Sequence, residues 1–557
     1  MNQHSPEEEN KRIRPETPFS SHVFVLPYVI RNQEKQKTPY SQEWRLLQPD
    51  VHEDKLDLPY LIKNTQYGMS DEQVSYAYMH YFNSEAQEIT YRKSDLVRNY
   101  AYRPAEAEEL IYRISYYDGF EEKELDFFDL DVKYIMIREL KSLAAGFLII
   151  AVDNYSYPKM DQVAKINQFG RRVYNPFLVG GDNYQHGEAP TNLQFLTKEE
   201  AKQKSAYHSH EKLIRYEFMD GPAKLLQSFY RVSKENLFRL KALDEAEQTN
   251  IALDKIVDDR MFVICYYENH YLSKLIQQKS IDGLSMDDLE NNTGAELSKE
   301  ELDLVIKAKQ VEQNSSSQNF SYEALKTLYR LAFIDKESAS CADEGMIRSV
   351  FDDIAYKRWM DYGTLYMVTQ HSLVTVASRA SAPAFVPTYF LSQYLEMVLI
   401  VFSQRIGFLY FSKKTGDEAS QPDPLRIRTL QKEYVIFQNQ FLLPELSPQE
   451  QAVDLYQLLQ KQLYVEHHSI ILNDQIRSLH EISQTEDAVF QGRRDRHLNI
   501  FVAILTIVTI VPIFFENAPL FNLLKKWIAD NEILVLSVIG LIIALRKDDL
   551  KKWFHYK

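Results

Sequence analysis

The chain has 557 residues, 45% of them hydrophobic, and a formal net charge of −15. That length calls for two or three domains, and that hydrophobic content excludes a disordered chain. The acidic balance, with arginine and lysine dispersed apart from short clusters near the C-terminal apolar runs, argues against a nucleic-acid binder, which needs a basic face.

Residues 1–17 are polar and charged and lack the apolar core of a signal peptide, so the bulk of the protein is expected in the cytoplasm. Residues 18–320 follow an α/β pattern. Phe24 to Leu26, Leu148 to Val152 and Met261 to Cys265 read as buried strands, with helical patterns between them at Pro104 to Tyr112 and Glu211 to Met219. Only 16 glycines are present, and no phosphate-cradling glycine motif occurs. The best anion site is Gly170-Arg171-Arg172. Adjacent arginines after a glycine can reach a phosphate bidentately, or one can pair with a carboxylate such as Asp153 while the other stays solvated. Asp153-Asn154-Tyr155 follows the strongest apolar strand, where α/β domains often hold ligands. The acid would take an amino group and the tyrosine would stack on a base, unless the triplet is a plain turn.

Other features of this domain have blander readings beside sharper ones. Gly180 to Asn183 is a loop or a lid, and Asp258-Asp259-Arg260 a local salt bridge at a strand edge. The acidic run Glu121, Glu122, Glu124, Asp126, Asp129 and Asp131 is a solvated face or a cation sensor. Cys265 and Cys341 read as reduced thiols. His208, His210, His467 and His468 lack a ligand framework, so no metal site is expected. No nucleophile, base and orienting residue assemble into a catalytic site, and the reading is of a protein that is not an enzyme.

Asn314 to Asn319 reads as a linker, and residues 321–497 as a helical stalk. Tyr389 to Phe411 is long and apolar, but Gln393, Glu396, Gln404 and Arg405 interrupt it, which predicts a buried helix rather than a span. Ser447-Pro448-Gln449-Glu450 has the form of a capping box with proline first in the helix. Leu458, Val465, Leu472 and Leu479 recur every seven residues. Together they predict one helix of about 70 residues, roughly 100 Å, running into the first span.

Residues 498–557 read as a transmembrane hairpin with a basic tail. Leu498 to Phe515 is an uncharged 18-residue run, and Ile533 to Leu545 a shorter one of 13. Arg493, Arg494 and Arg496 before the first, and Arg546, Lys547, Lys551, Lys552 and Lys557 after the second, place both termini in the cytoplasm. Steps of 3.6 residues from Asn499 give Ala503, Thr506, Thr509, Ile513 and Asn517, a stripe of mostly polar and small residues that packs on other helices or lines water. One hairpin cannot enclose a conduit, so a pore requires several subunits.

In architecture the whole chain resembles the CorA family of divalent-cation channels, most closely from about Leu328 onward. The family combines a cytosolic α/β domain, a long stalk helix and two C-terminal spans, and assembles as pentamers. Its Gly-Met-Asn signature is matched here by Phe515-Glu516-Asn517, which keeps only the asparagine. Glu516 adds a ring of carboxylates that could draw cations to the mouth. The segments Lys165 to Tyr174 (including Asn167), Asp258 to Met261, Tyr356 to Trp359 and Tyr362 to Tyr366 resemble a branch found beside type III CRISPR systems. That resemblance implies an antiphage effector in the bacterial inner membrane, multi-pass and homo-oligomeric. It would be opened by a nucleotide second messenger, S-adenosylmethionine joined to AMP (SAM-AMP), and the candidate residues to hold it, on their own chemistry and position, are Asn167, Arg171, Arg172, Asp153, Asn154 and Tyr155. Ordinary CorA-type magnesium transport without a nucleotide is the alternative.

Overall fold

The structure, a computed structural model, describes residues 17–30, 42–47, 71–92, 96–103, 109–117, 125–174, 190–203, 220–230, 253–255, 260–277, 320–383, 385–420, 423–514, 523, 526, 527, 529 and 530. The chain divides into two compact units. One is Met1–Asp417 with Thr429–Ile476, and the other is Glu418–Arg428 with Arg477–Lys557.

The first unit is built on a mixed sheet. Its strands, among the described residues, are β1 Ser20–Ile30, β2 Trp44–Leu47, β3 Val97–Tyr102, β4 Leu110–Tyr117, β5 Leu125–Leu140 and β6 Ala145–Asn154. They continue with β7 Asn192–Thr197, β8 Leu253–Lys255, β9 Phe262–Glu268, β10 Ala355–Tyr356, β11 Leu365–Val368 and β12 Ser372–Ala377. The main order is β10-β11-β12-β9-β1-β6-β5-β3-β2, with β4 and β7 branching from β5 and β8 pairing with β1. Strands β1, β6 and β9 are buried almost throughout, which explains why they read as continuous apolar runs rather than alternating ones.

Helices cover both faces. On one face, His22, Phe24, Leu26, Ile150, Val152, Val263 and Cys265 pack under helices Met160–Gly170, Tyr322–Phe333 and Glu344–Ile354. Ser321 and Asp343 cap the latter two, accepting from Ala324 N and Met346 N, each cap worth about 1 kcal/mol. On the opposite face lies Val386–Ser420. Its Phe402 meets Phe262 and Phe147 with ring centroids 4.8 and 6.4 Å apart. Arg138 of β5 pairs bidentately with Glu396 of this helix, both fully buried, and Asn99 Oδ1 accepts from Arg138 Nε at 2.8 Å.

Val386–Ser420 is long and apolar enough to cross a membrane by length and composition, yet 78% of its apolar window is buried. The sheet supplies the partner that Glu396 needs, and Gln404 Nε2 donates to Phe441 O (2.8 Å) and Tyr456 Oη (2.7 Å). The polar interruptions in this segment are therefore its anchoring points within the fold.

Four expectations are corrected. The 320/321 boundary between an α/β domain and a helical stalk is absent from the sheet. β12 pairs with β9 in parallel and carries β11 and β10 with it, so residues 355–377 complete the sheet. The helix expected at 104–112 is not formed at its end, since Leu110–Tyr117 is a strand between β5 and β7. The single long helix is two. Glu450–Gln462 ends at Leu463, Tyr464 takes a left-handed φ of 57°, and Val465–Phe514 follows. The capping position is Gln449 rather than Ser447, whose hydroxyl accepts from Gln449 N at 3.3 Å.

In the second unit, the part of the Val465–Phe514 helix from Arg477 onward carries the apolar run from Leu498. Leu498, Ile500, Phe501, Val502, Ile504 and Ile507 are all more than half exposed. The expected second span, Ile533 to Leu545, lies outside the described residues, as do the expected helix at 211–219 and the linker at 314–319.

Candidate functional site

The Met160–Gly170 helix positions most of the residues singled out above. Met160, Val163, Ile166 and Phe169 recur at helical spacing and are buried on the sheet. Asn167 shares that buried side, so its amide needs partners from the sheet. His22 of β1 provides one. Its Nδ1–H donates to Asn167 Oδ1 at 2.7 Å, and Ser20 Oγ, 2.8 Å from Nε2, donates on the other side of the ring. Asn154 Nδ2 donates to Ser20 Oγ at 2.9 Å. A chain of hydrogen bonds thus runs Asn154–Ser20–His22–Asn167. Burial pushes the His22 pKa from 6.5 down to about 4, against the Asn167 hydrogen bond and the Asp153 charge, which raise it. The imidazole is neutral at pH 7. Cys265, directly opposite His22 on β9, has its thiol pushed up to about 12 by burial despite a hydrogen bond from Asn167. It is an inert core thiol.

Arg171 and Arg172 follow at the helix C-terminus, where the helix dipole favours cations. Both are buried, at 3% and 7% exposure. Arg171 Nη2 donates to Gln168 Oε1 (2.5 Å), and Arg171 O accepts from Met261 N (2.7 Å). Arg172 pairs with Arg260 in an antiparallel bridge. Three arginine backbones thus converge one turn beyond Asn167.

The other expected residues divide across the sheet. Consecutive strand residues alternate in face, so Asp153 and Asn154 point to opposite sides. Asp153 accepts from Ser21 Oγ (2.5 Å) and pairs with Lys133 (3.4 Å). Asn154 Oδ1 accepts from Ser156 N and Tyr157 N, the turn geometry weighed as the plain reading of that triplet. Tyr155 is half-buried. One compact set of Asp153, Asn154, Tyr155, Asn167, Arg171 and Arg172 is therefore not formed. Asn154, Asn167 and the two arginines share one side, and Asp153 sits on the other. The serines and His22 escaped the sequence reading, although Ser20-Ser21-His22 opening an apolar strand was a usable signal.

Among the stripe residues, Asn499, Ala503 and Thr506 are exposed on the Val465–Phe514 helix, and Thr506 Oγ1 donates to Val502 O at 2.7 Å. Thr509 and Ile513 belong to the same helix, while Glu516 and Asn517 lie outside the described residues. The acidic run is partly structural. Asp126 accepts from Tyr116 Oη at 2.9 Å, and Asp129 takes both Arg113 Nε and Nη2 at 2.7 Å. Asp258, Asp259, Gly180 to Asn183, His208 and His210 are outside the described residues. Among the described residues, no three His, Cys, Asp or Glu side chains come together in a group able to hold a metal ion.

Comparison of the chain with protein-family models, with curated proteins and with solved structures gives no match.

Proposed function

We propose that this chain is a homo-oligomeric, ligand-gated membrane channel of the CorA-like type, an antiphage effector opened by a cytosolic nucleotide second messenger. One observation carries the membrane part of the reading. The 50-residue Val465–Phe514 helix presents Leu498, Ile500, Phe501, Val502, Ile504 and Ile507 outward together, just beyond Arg493, Arg494 and Arg496. Apolar exposure around a whole helix does not suit water. Covering those six half-exposed side chains is worth on the order of 5–10 kcal/mol, comparable to the net stability of a domain. A bilayer covers them, and the arginines stand at its cytoplasmic border. The nucleotide part rests on the resemblance; the backbones of Arg171, Arg172 and Arg260 lie close together in the fold. SAM-AMP is the ligand that the resemblance names, and a pentamer is the assembly.

Ion flux from liposomes carrying the purified protein tests this. Flux that requires the SAM-AMP conjugate, and is absent with cyclic oligoadenylates, is the expected result. Magnesium flux without any nucleotide would convert the reading to constitutive CorA-type transport. Silence from inserted, oligomeric protein would leave a membrane-anchored binding protein.

A further inference from the structure

Between helix Glu450–Gln462 and helix Val465–Phe514 stand only Leu463 and Tyr464. Tyr464 takes the left-handed φ of 57°, a conformation that usually calls for glycine or asparagine. Leu463-Tyr464-Val465 contains neither glycine nor proline, so nothing in the local sequence breaks a helix here. The break also gives up backbone bonding. Tyr464 N donates to Lys461 O at 3.1 Å, and His468 N donates to Tyr464 O at 3.0 Å. In an unbroken helix the N–H groups of residues 465–467 would reach the carbonyls of 461–463.

Tertiary packing imposes the break. Leu463 and Val465 are both buried, whereas Tyr464 between them is 48% exposed. Two residues apart on one helix, they would point about 200° apart, and a half-exposed helix could bury only one of them. Polar ties flank the break. On the first helix, Arg358 Nη2 donates to Asp454 Oδ2 at 2.7 Å, Gln462 Nε2 donates to Asp353 O at 2.9 Å, and Lys461 pairs with Asp353. On the second, Asn473 Oδ1 accepts from Tyr434 Oη at 2.9 Å. Exposed ion pairs such as Lys461 with Asp353 hold weakly.

A second observation is independent of the backbone. Ala452, Leu455, Leu459 and Leu463 form the buried side of the first helix, and Val465, Leu472 and Ile476 that of the second. On one continuous helix these two sides would lie roughly 120° apart. Ile470, seven residues past Leu463, would then continue the first side, yet it is 57% exposed. Leu458, seven residues before Val465, would extend the second side, yet it is only half-buried. The chain thus carries apolar residues aligned for a continuous helix that the broken one does not bury.

We propose that residues 463–465 are a two-state hinge. The broken form exchanges with one continuous helix over 450–476, and the exchange turns the side that the second helix presents by roughly a third of a turn. Regained backbone bonds and release of the left-handed tyrosine favour the continuous form. Joint burial of Leu463 and Val465 and the Asp353 ties favour the broken one. The use of the hinge rests on the gated-channel reading, since the helix that turns is the one that carries the exposed apolar run.

Pulsed electron paramagnetic resonance on the full-length protein in detergent tests it, with spin labels at Gln457→Cys and Gln475→Cys and an excess of unlabelled chain. Both positions are exposed, and Cys265 and Cys341 are buried. The labels are five helical turns apart in the continuous form, a separation of about 27 Å, and the broken form gives a distance of its own. Tyr464→Gly frees the left-handed turn and weakens the continuous helix, and is expected to reduce the 27 Å population about tenfold. Tyr464→Ala with Asp353→Ala is expected to raise it about fivefold. One unchanging distance in all three chains, or a 27 Å population that ignores both changes, overturns the hinge. Conjugate-gated flux from protein with one unchanging distance also overturns it and leaves gating intact. A 27 Å population that moves as expected, without flux under any condition, supports the hinge and removes the channel reading.

Discussion

Replacing Glu396 with glutamine tests where the Val386–Ser420 helix resides. The Arg138 and Glu396 side chains are 2% and 0% exposed and bonded through two nitrogen–oxygen contacts. At an effective dielectric of about 20, unit charges about 3 Å apart attract by roughly 5 kcal/mol. Dehydrating both ions offsets most of that, so the intact pair contributes little net. Glu396→Gln keeps the shape and removes one charge, leaving the Arg138 guanidinium buried without its counter-ion. The expected loss is about 3–5 kcal/mol, read as a lower urea midpoint by circular dichroism. The double change Arg138→Met with Glu396→Leu removes both charges and should recover most of the loss. A cost for Glu396→Gln below about 1 kcal/mol, the value of an exposed pair, refutes the reasoning. So does a double variant no better than the single.

Three further outcomes are expected. His22 titrates at 6.5 in the unfolded chain and about 4 in the fold, so the unfolded chain binds the extra proton between those values. Its contribution is full above pH 6.5 and shrinks as pH falls to 4, by up to roughly 3 kcal/mol. His22→Gln should flatten that part of a stability–pH curve. A Cβ at Gly407 would lie 2.1 Å from the Phe437 ring, so Gly407→Ala should destabilise by about 1–3 kcal/mol in a thermal melt. Phe437→Leu in the same chain should restore part of that loss. Ile504→Lys with Ile507→Lys places two charges at membrane depth at about 2.5–3.5 kcal/mol each. The protein should then extract from membranes at alkaline pH, whereas Ile470→Lys, at an equally exposed position of the same helix, should not extract.

What was legible in the sequence follows from how local each signal is. β1, β6 and β9 were readable because strands buried on both faces announce themselves as unbroken apolar runs. β10, β11 and β12 were not. They are short, sit among helical patterns, and owe their existence to β9, about a hundred residues earlier. Tyr112 was expected to end a helix and lies in β4, where pairing with β5 and β7 overrides local preference. The opposite facing of Asp153 and Asn154 could have been read from strand alternation alone. The meeting of His22 with Asn167 could not, since 145 residues separate them. The meeting of Tyr81 with Tyr389 was likewise invisible, since the two lie far apart in the chain.

The pairing of β12 with β9 also sets an order of events during synthesis. β1 waits for β6 and β9, and the sheet is unfinished until Ala377 has been made. Pairings of this range fold slowly. About 120 residues then separate Ala377 from Leu498, where the exposed apolar run begins. At about 5–20 residues per second, that interval lasts roughly 6–24 s. The sheet therefore has a head start over the segment most prone to aggregate. Shortening the stretch between them would bring the apolar helix out of the ribosome beside an unfinished sheet edge.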